Sequence, residues 1–155
     1  MVSQLALLND EEQTLMLNVP ALITILVAGS DKDISSKELD WAEKTINFRA
    51  RKEGSILQDY YYEVSKFIDD SIKDFMQKLP EDVSKRTLEI GEILYKVNAI
   101  WPKIDHDFAK ALYDSFLTYA EQVAQASGGI LGSSAVSPEE KELMKLNMIN
   151  PPSVK

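Results

Sequence analysis

Cysteine is absent from these 155 residues and histidine occurs once. The first absence removes disulfides, thiolate metal sites and a cysteine nucleophile, and it fits an intracellular location best. The second removes the familiar two- and three-histidine zinc sites and leaves only His106 to serve a reactive serine. Positive charge is also short: 17 Lys and Arg stand against 25 Asp and Glu, a net charge of −8. Binding a phosphate backbone requires a cationic footprint, so no nucleic-acid partner is expected. The one basic cluster, Arg49-Arg51-Lys52, reads as the solvated end of a helix.

Long apolar runs are missing too. The stretch Leu15 to Ala28 falls short of the ~20 residues of a membrane span and carries Asn18 and Pro20, so a core helix is predicted there. The opening MVSQLALLNDEE has neither a positive leading region nor a small-residue cleavage site, which argues against a signal peptide. No period-two alternation or hairpin signal predicts a strand. GxSxG is lacking, and the glycine-rich stretch Ser127-Gly128-Gly129-Ile130-Leu131-Gly132-Ser133 follows no strand and has no phosphate-loop lysine. No catalytic set is visible, and a non-enzymatic protein is expected.

What the chain does have is helical periodicity. Asn9 or Asp10 before Glu11 and Glu12 starts a first helix that runs toward Ala28, and Pro20 should kink or split it near Asn18. Ser35 opens a second, whose inner stripe is Leu39, Ala42, Ile46 and Ala50. Gly54-Ser55 breaks the chain. Apolar residues at Leu57, Tyr61, Val64, Ile68, Ile72, Phe75 and Leu79 then predict one long third helix ended by Pro80. A fourth helix is predicted from Asp82 to Trp101, with Gly91 inside it suggesting a close neighbour. Pro102 fits the first turn of a fifth, reaching Ala126 and ended by Ser127-Gly128-Gly129. Pro138 opens the last. The predicted fold is all-α, a compact bundle of six to seven helices forming one domain over residues 1–149, with 150–155 a disordered tail. Leu26, Ile46, Val64, Ile68, Leu94, Phe116 and Val123 are the predicted core. The run Tyr60-Tyr61-Tyr62 cannot form one stack on a helix, so at most Tyr61 and a neighbour belong to that core.

One phrase occurs twice. Leu22 to Leu39 and Tyr119 to Leu143 each pass from an apolar helix through a short loop to a β-branched residue, a serine, and a glutamate three residues later. Ser35 with Glu38, and Ser137 with Glu140, have the spacing of a capping box. The first loop alternates oxygen-bearing side chains, so Asp31, Asp33 and Glu38 are the candidate ligands for a divalent cation. It departs from an EF-hand where Ser36 replaces the turn glycine and Ala42 the closing glutamate. His106, between Asp105 and Asp107 at a helix start, reads as a half-exposed surface residue.

These two corners resemble those of the TerB-like family, all-helical domains named for a tellurite-resistance protein. The first corner stands here as Ser30-Asp31-Lys32-Asp33-Ile34-Ser35-Ser36-Lys37-Glu38, with Lys32 where the family has glycine. The second is Ala126-Ser127-Gly128-Gly129-Ile130-Leu131-Gly132 followed by Val136-Ser137-Pro138-Glu139-Glu140. The match spans approximately residues 9–149. The resemblance implies a compact, cytoplasmic, bacterial helical bundle with acidic surface positions and a link to stress or tellurite-resistance systems, and it implies no established catalytic activity. The expected function is therefore an interaction module presenting an acidic helical surface to a protein partner. The alternative is a cation-binding module built on the Asp31–Glu38 corner.

Overall fold

A computed structural model describes residues 2–29, 34–130 and 138–153, with side chains described to 127 in the middle stretch. Among the described residues the chain forms seven α-helices and no strand: α1 (Asp10–Ala28), α2 (Ser36–Ala50), α3 (Gln58–Ser65), α4 (Ile68–Lys78), α5 (Val83–Tyr95), α6 (His106–Ile130) and α7 (Pro138–Leu143). The all-α prediction therefore holds, and all seven of the predicted core residues are buried.

α1 is the hub: it packs against α3, α4, α5, α6 and α7. Its start carries a complete capping box, with Asn9 Oδ1 accepting from the Glu12 N–H and Glu12 Oε1 accepting from the Asn9 N–H. Every residue from Val19 to Ala28 is buried. Pro20 does not split the helix. A proline has no N–H to give the carbonyl four residues back, which here belongs to Met16. The Tyr60 hydroxyl donates to that Met16 carbonyl at 2.5 Å and satisfies it. Thr24 Oγ1, donating to the Pro20 carbonyl at 2.8 Å, ties the next turn together. So a core tyrosine from α3 makes a mid-helix proline tolerable in a dry environment.

Four boundaries differ from the sequence reading. The predicted third helix is two, because Phe67 leaves the helical region at φ −144° and turns the chain. α3 then packs mainly on α2, and α4 mainly on α1. The predicted fourth helix stops at Tyr95, giving way to 3-10 turns at Lys96–Ala99 and Trp101–Lys103. Pro102 belongs to the second of these turns, and α6 instead starts after Asp105, whose Oδ2 accepts from the Phe108 N–H. At its other end α6 runs through Gly128 and Gly129 to Ile130 rather than stopping at them. Glycine permits a left-handed helix end without requiring it, and burial of Val123, Ala124 and Ser127 holds this helix in register. Gly54 does take the left-handed conformation, at φ +78°, and makes the turn between α2 and α3.

Gly91 is a further correction. A Cβ built there meets nothing within 4 Å, so no helix approaches it closely. Beyond α7 the chain stays attached: Asn98 accepts from the Asn150 N–H and donates to the Met148 carbonyl, and Trp101 Nε1 donates to the Asn150 carbonyl.

Candidate functional site

The first corner is defined on the side of α2. Ser35 Oγ accepts from the Glu38 N–H at 3.2 Å, and Glu38 Oε1 accepts from the Ser35 N–H at 3.0 Å, completing the capping box. Glu38 is buried at 3% exposure. Of the three candidate cation ligands, Asp31 and Asp33 lie outside the described residues, as do Val136 and Ser137 of the second corner. Its glutamate, Glu140, is buried like Glu38, so the two corners match at that position. Among the described residues no three His, Asp or Glu side chains gather into a metal-sized group. The buried Arg86 of α5 donates through Nη2 to the Gly29 carbonyl at 2.6 Å, a favourable place for a cation at a helix C-terminus. Capping predicts that Ser35→Ala lowers stability by ~0.5–2 kcal/mol. Thermal melts with calcium, magnesium or chelator are expected to show the same loss, and a loss seen only with added metal would overturn the capping account.

A second feature is an open groove of about 570 Å³ between α1 and the α5 end of the bundle. On α1 the residues Glu11, Leu15, Asn18 and Leu22 recur at helical spacing along one wall. Ile93, Lys96, Ala99 and Ile100 form the facing wall, and Phe75 of α4 closes it. The floor is apolar, while Asp10, Glu11 and Glu12 crowd the rim at the positive end of the α1 dipole. Lys103 lies 2.5 Å from Glu12; its hydrogen bond, joined by that of the Asn9 N–H, holds the Glu12 carboxyl below the usual range. Asp10 and Glu11 are exposed.

The third feature contradicts the reading of Arg49 as part of a solvated helix end. Its guanidinium is clamped between α2, α3 and α6. Nη1 donates to Tyr61 Oη at 3.1 Å, to the Ser115 carbonyl at 3.2 Å and to Ser115 Oγ at 2.5 Å. Nη2 donates to Gln122 Oε1 at 2.8 Å and, more weakly, to Thr118 Oγ1 at 3.4 Å. The rings of Tyr61 and Tyr119 lie 5.2 Å and 5.5 Å from the guanidinium carbon, a cation–π arrangement with two rings. Burial pushes the Tyr61 hydroxyl up, and Arg49 and Ser115 partly oppose that rise. A signal was present in the sequence: Arg49 falls three residues after Ile46 and seven after Ala42, on the flank of the inner stripe of α2. His106, partly exposed, lines a different hollow with Trp101 and Pro151.

No helix among the described residues is long and apolar enough to cross a membrane. No family model, curated protein or solved structure matches the chain.

Proposed function

We propose that this protein is a non-enzymatic interaction module whose α1–α5 groove takes a basic, amphipathic helix from a partner protein. The apolar floor beneath an acidic rim carries this reading. A helix laid in such a groove buries apolar anchors at helical spacing, and lysines or arginines on its flanks meet Asp10 and Glu11. The resemblance of the corners to TerB-like domains supports the same kind of role and suggests a bacterial stress or tellurite-resistance system as its setting. The cation-binding alternative rests on Asp31, Asp33 and Glu38, of which Glu38 already serves a cap.

The test is fluorescence anisotropy with a synthetic leucine–lysine amphipathic helix and its leucine–glutamate counterpart. The basic peptide is expected to bind with a Kd on the order of 10–100 μM, weakening steeply with salt. Ile93→Glu and Glu11→Lys should each weaken it by about tenfold, whereas Asp59→Lys on α3 should not. Equal binding of the acidic peptide, or equal loss in the Asp59 variant, would remove the groove from the proposal.

A further inference from the structure

The clamped arginine has a cavity in front of it. A hollow of about 390 Å³ opens between α2, α3 and α6, lined by Arg49 and Lys52, by the hydroxyls of Thr45, Ser55 and Thr118, and by the aromatic Phe48. Arg49 makes no ion pair among the described residues; its partners are hydroxyls, a carbonyl, an amide oxygen and two rings. A guanidinium so fixed, with no carboxylate among the described residues bonded to it and a polar recess in front of it, is preorganised for an anion. The long Thr118 contact at 3.4 Å is the weakest of its bonds, and a ligand oxygen can replace it at little cost. Lys52 brings a second cation to the same recess. Phe48 stands 74% exposed at the mouth, a large apolar surface left in water. The neighbouring groove, which shares Thr45, Phe48 and Gln122 with this recess, adds Trp41 and Lys44 along α2. In a chain of net charge −8 this is a local concentration of cations beside aromatic surface.

We infer that this recess binds a small organic anion, with Arg49 and Lys52 holding a phosphate or carboxylate group and Phe48 covering an apolar or aromatic body. Asp114, exposed on the same lining, opposes part of that charge and weakens the hold on any anion. The site is separate from the acid-rimmed groove and does not depend on what that groove binds.

Amide chemical shifts of the full chain, titrated with phenyl phosphate, benzoate, inorganic phosphate and benzyl alcohol, test the inference. Phenyl phosphate or benzoate should give saturable shifts centred on α2 and α6 with a Kd on the order of 1 mM, and whichever of the two binds more tightly identifies the acid group. Inorganic phosphate should bind more weakly, and the neutral alcohol weakest of all. Lys52→Ala and Phe48→Ala, both at exposed positions, should each weaken the aromatic anion by about two- to fivefold without changing the fold. Arg49→Lys should weaken it by about tenfold through loss of the planar fork. Asp114→Asn should tighten it by about two- to fivefold. Absence of saturable shifts at about 10 mM of either aromatic anion, or indifference of affinity to Lys52, Phe48 and Asp114 together, would leave Arg49 a purely structural bolt and overturn the assignment.

Discussion

Raising the pH from about 10 to about 12 is expected to unfold this protein cooperatively, with tyrosinate absorbance and loss of helical circular dichroism appearing together. Three tyrosine hydroxyls lie in the interior. Burial pushes Tyr60 well up, raises Tyr119 strongly, and raises Tyr61 against the opposing pull of Arg49. In the unfolded chain each titrates near ~10. The stabilisation they contribute as neutral phenols is therefore complete below about pH 10 and is lost as pH climbs toward the raised native values. Each group contributes a slope of ~1.4 kcal/mol per pH unit, so three together approach ~4, against a typical domain stability of ~5–15 kcal/mol. Ionisation also removes donors. A Tyr60 phenolate cannot donate to the Met16 carbonyl that Pro20 leaves open, so α1 loses its repair along with its solvation balance. Tyr119→Phe should raise the alkaline midpoint while costing little at neutral pH, because Thr24 keeps its bond to Pro20. Tyrosines that all titrate near ~10 with the helices intact would refute the account.

Phe116→Ala is expected to lower stability by ~3–5 kcal/mol, the largest loss from a single truncation here. Its ring is fully buried on α6 and sits 6.2 Å from that of Tyr60 and 6.4 Å from that of Trp101. The cavity left behind adjoins the Tyr60 side chain that serves α1 and the Trp101 side chain that holds Asn150, so collapse into it disturbs two hydrogen bonds. Phe48→Ala, at an exposed position on α2, should change stability by less than ~0.5 kcal/mol. Urea unfolding of the pair measures both, and a loss below ~1 kcal/mol for Phe116 would show that α6 packs differently.

The core could be read from the sequence because it depends on period alone. Leu26, Ile46, Val64, Ile68, Leu94, Phe116 and Val123 recur on apolar faces, and apolar faces are buried whichever neighbours cover them. The break at Phe67 could not. Tyr61, Val64, Ile68 and Ile72 keep their three- and four-residue spacing across the turn, so in sequence a continuous helix looks the same. Gly91 misled for a related reason: a helical glycine can mark a close neighbour or simply an open face, and only tertiary placement distinguishes them. The Arg49 recess was hidden because its partners Ser115, Thr118 and Gln122 lie on another helix, more than sixty residues away in sequence. The α1–α5 groove was likewise hidden, since its walls come from both halves of the chain.

The hub position of α1 has a consequence for the making of the protein. Val19 to Ala28 is covered on every side in the finished molecule, and a main element covering it is α6, which starts at His106. At a synthesis rate of ~5–20 residues per second, roughly 80 residues separate the two, so α1 waits ~4–16 s for that cover. During that interval the nascent chain carries a strongly apolar ten-residue segment, Val19 to Ala28, without that cover. That segment is where a holding chaperone would engage the nascent chain, and where truncated translation products would begin to aggregate.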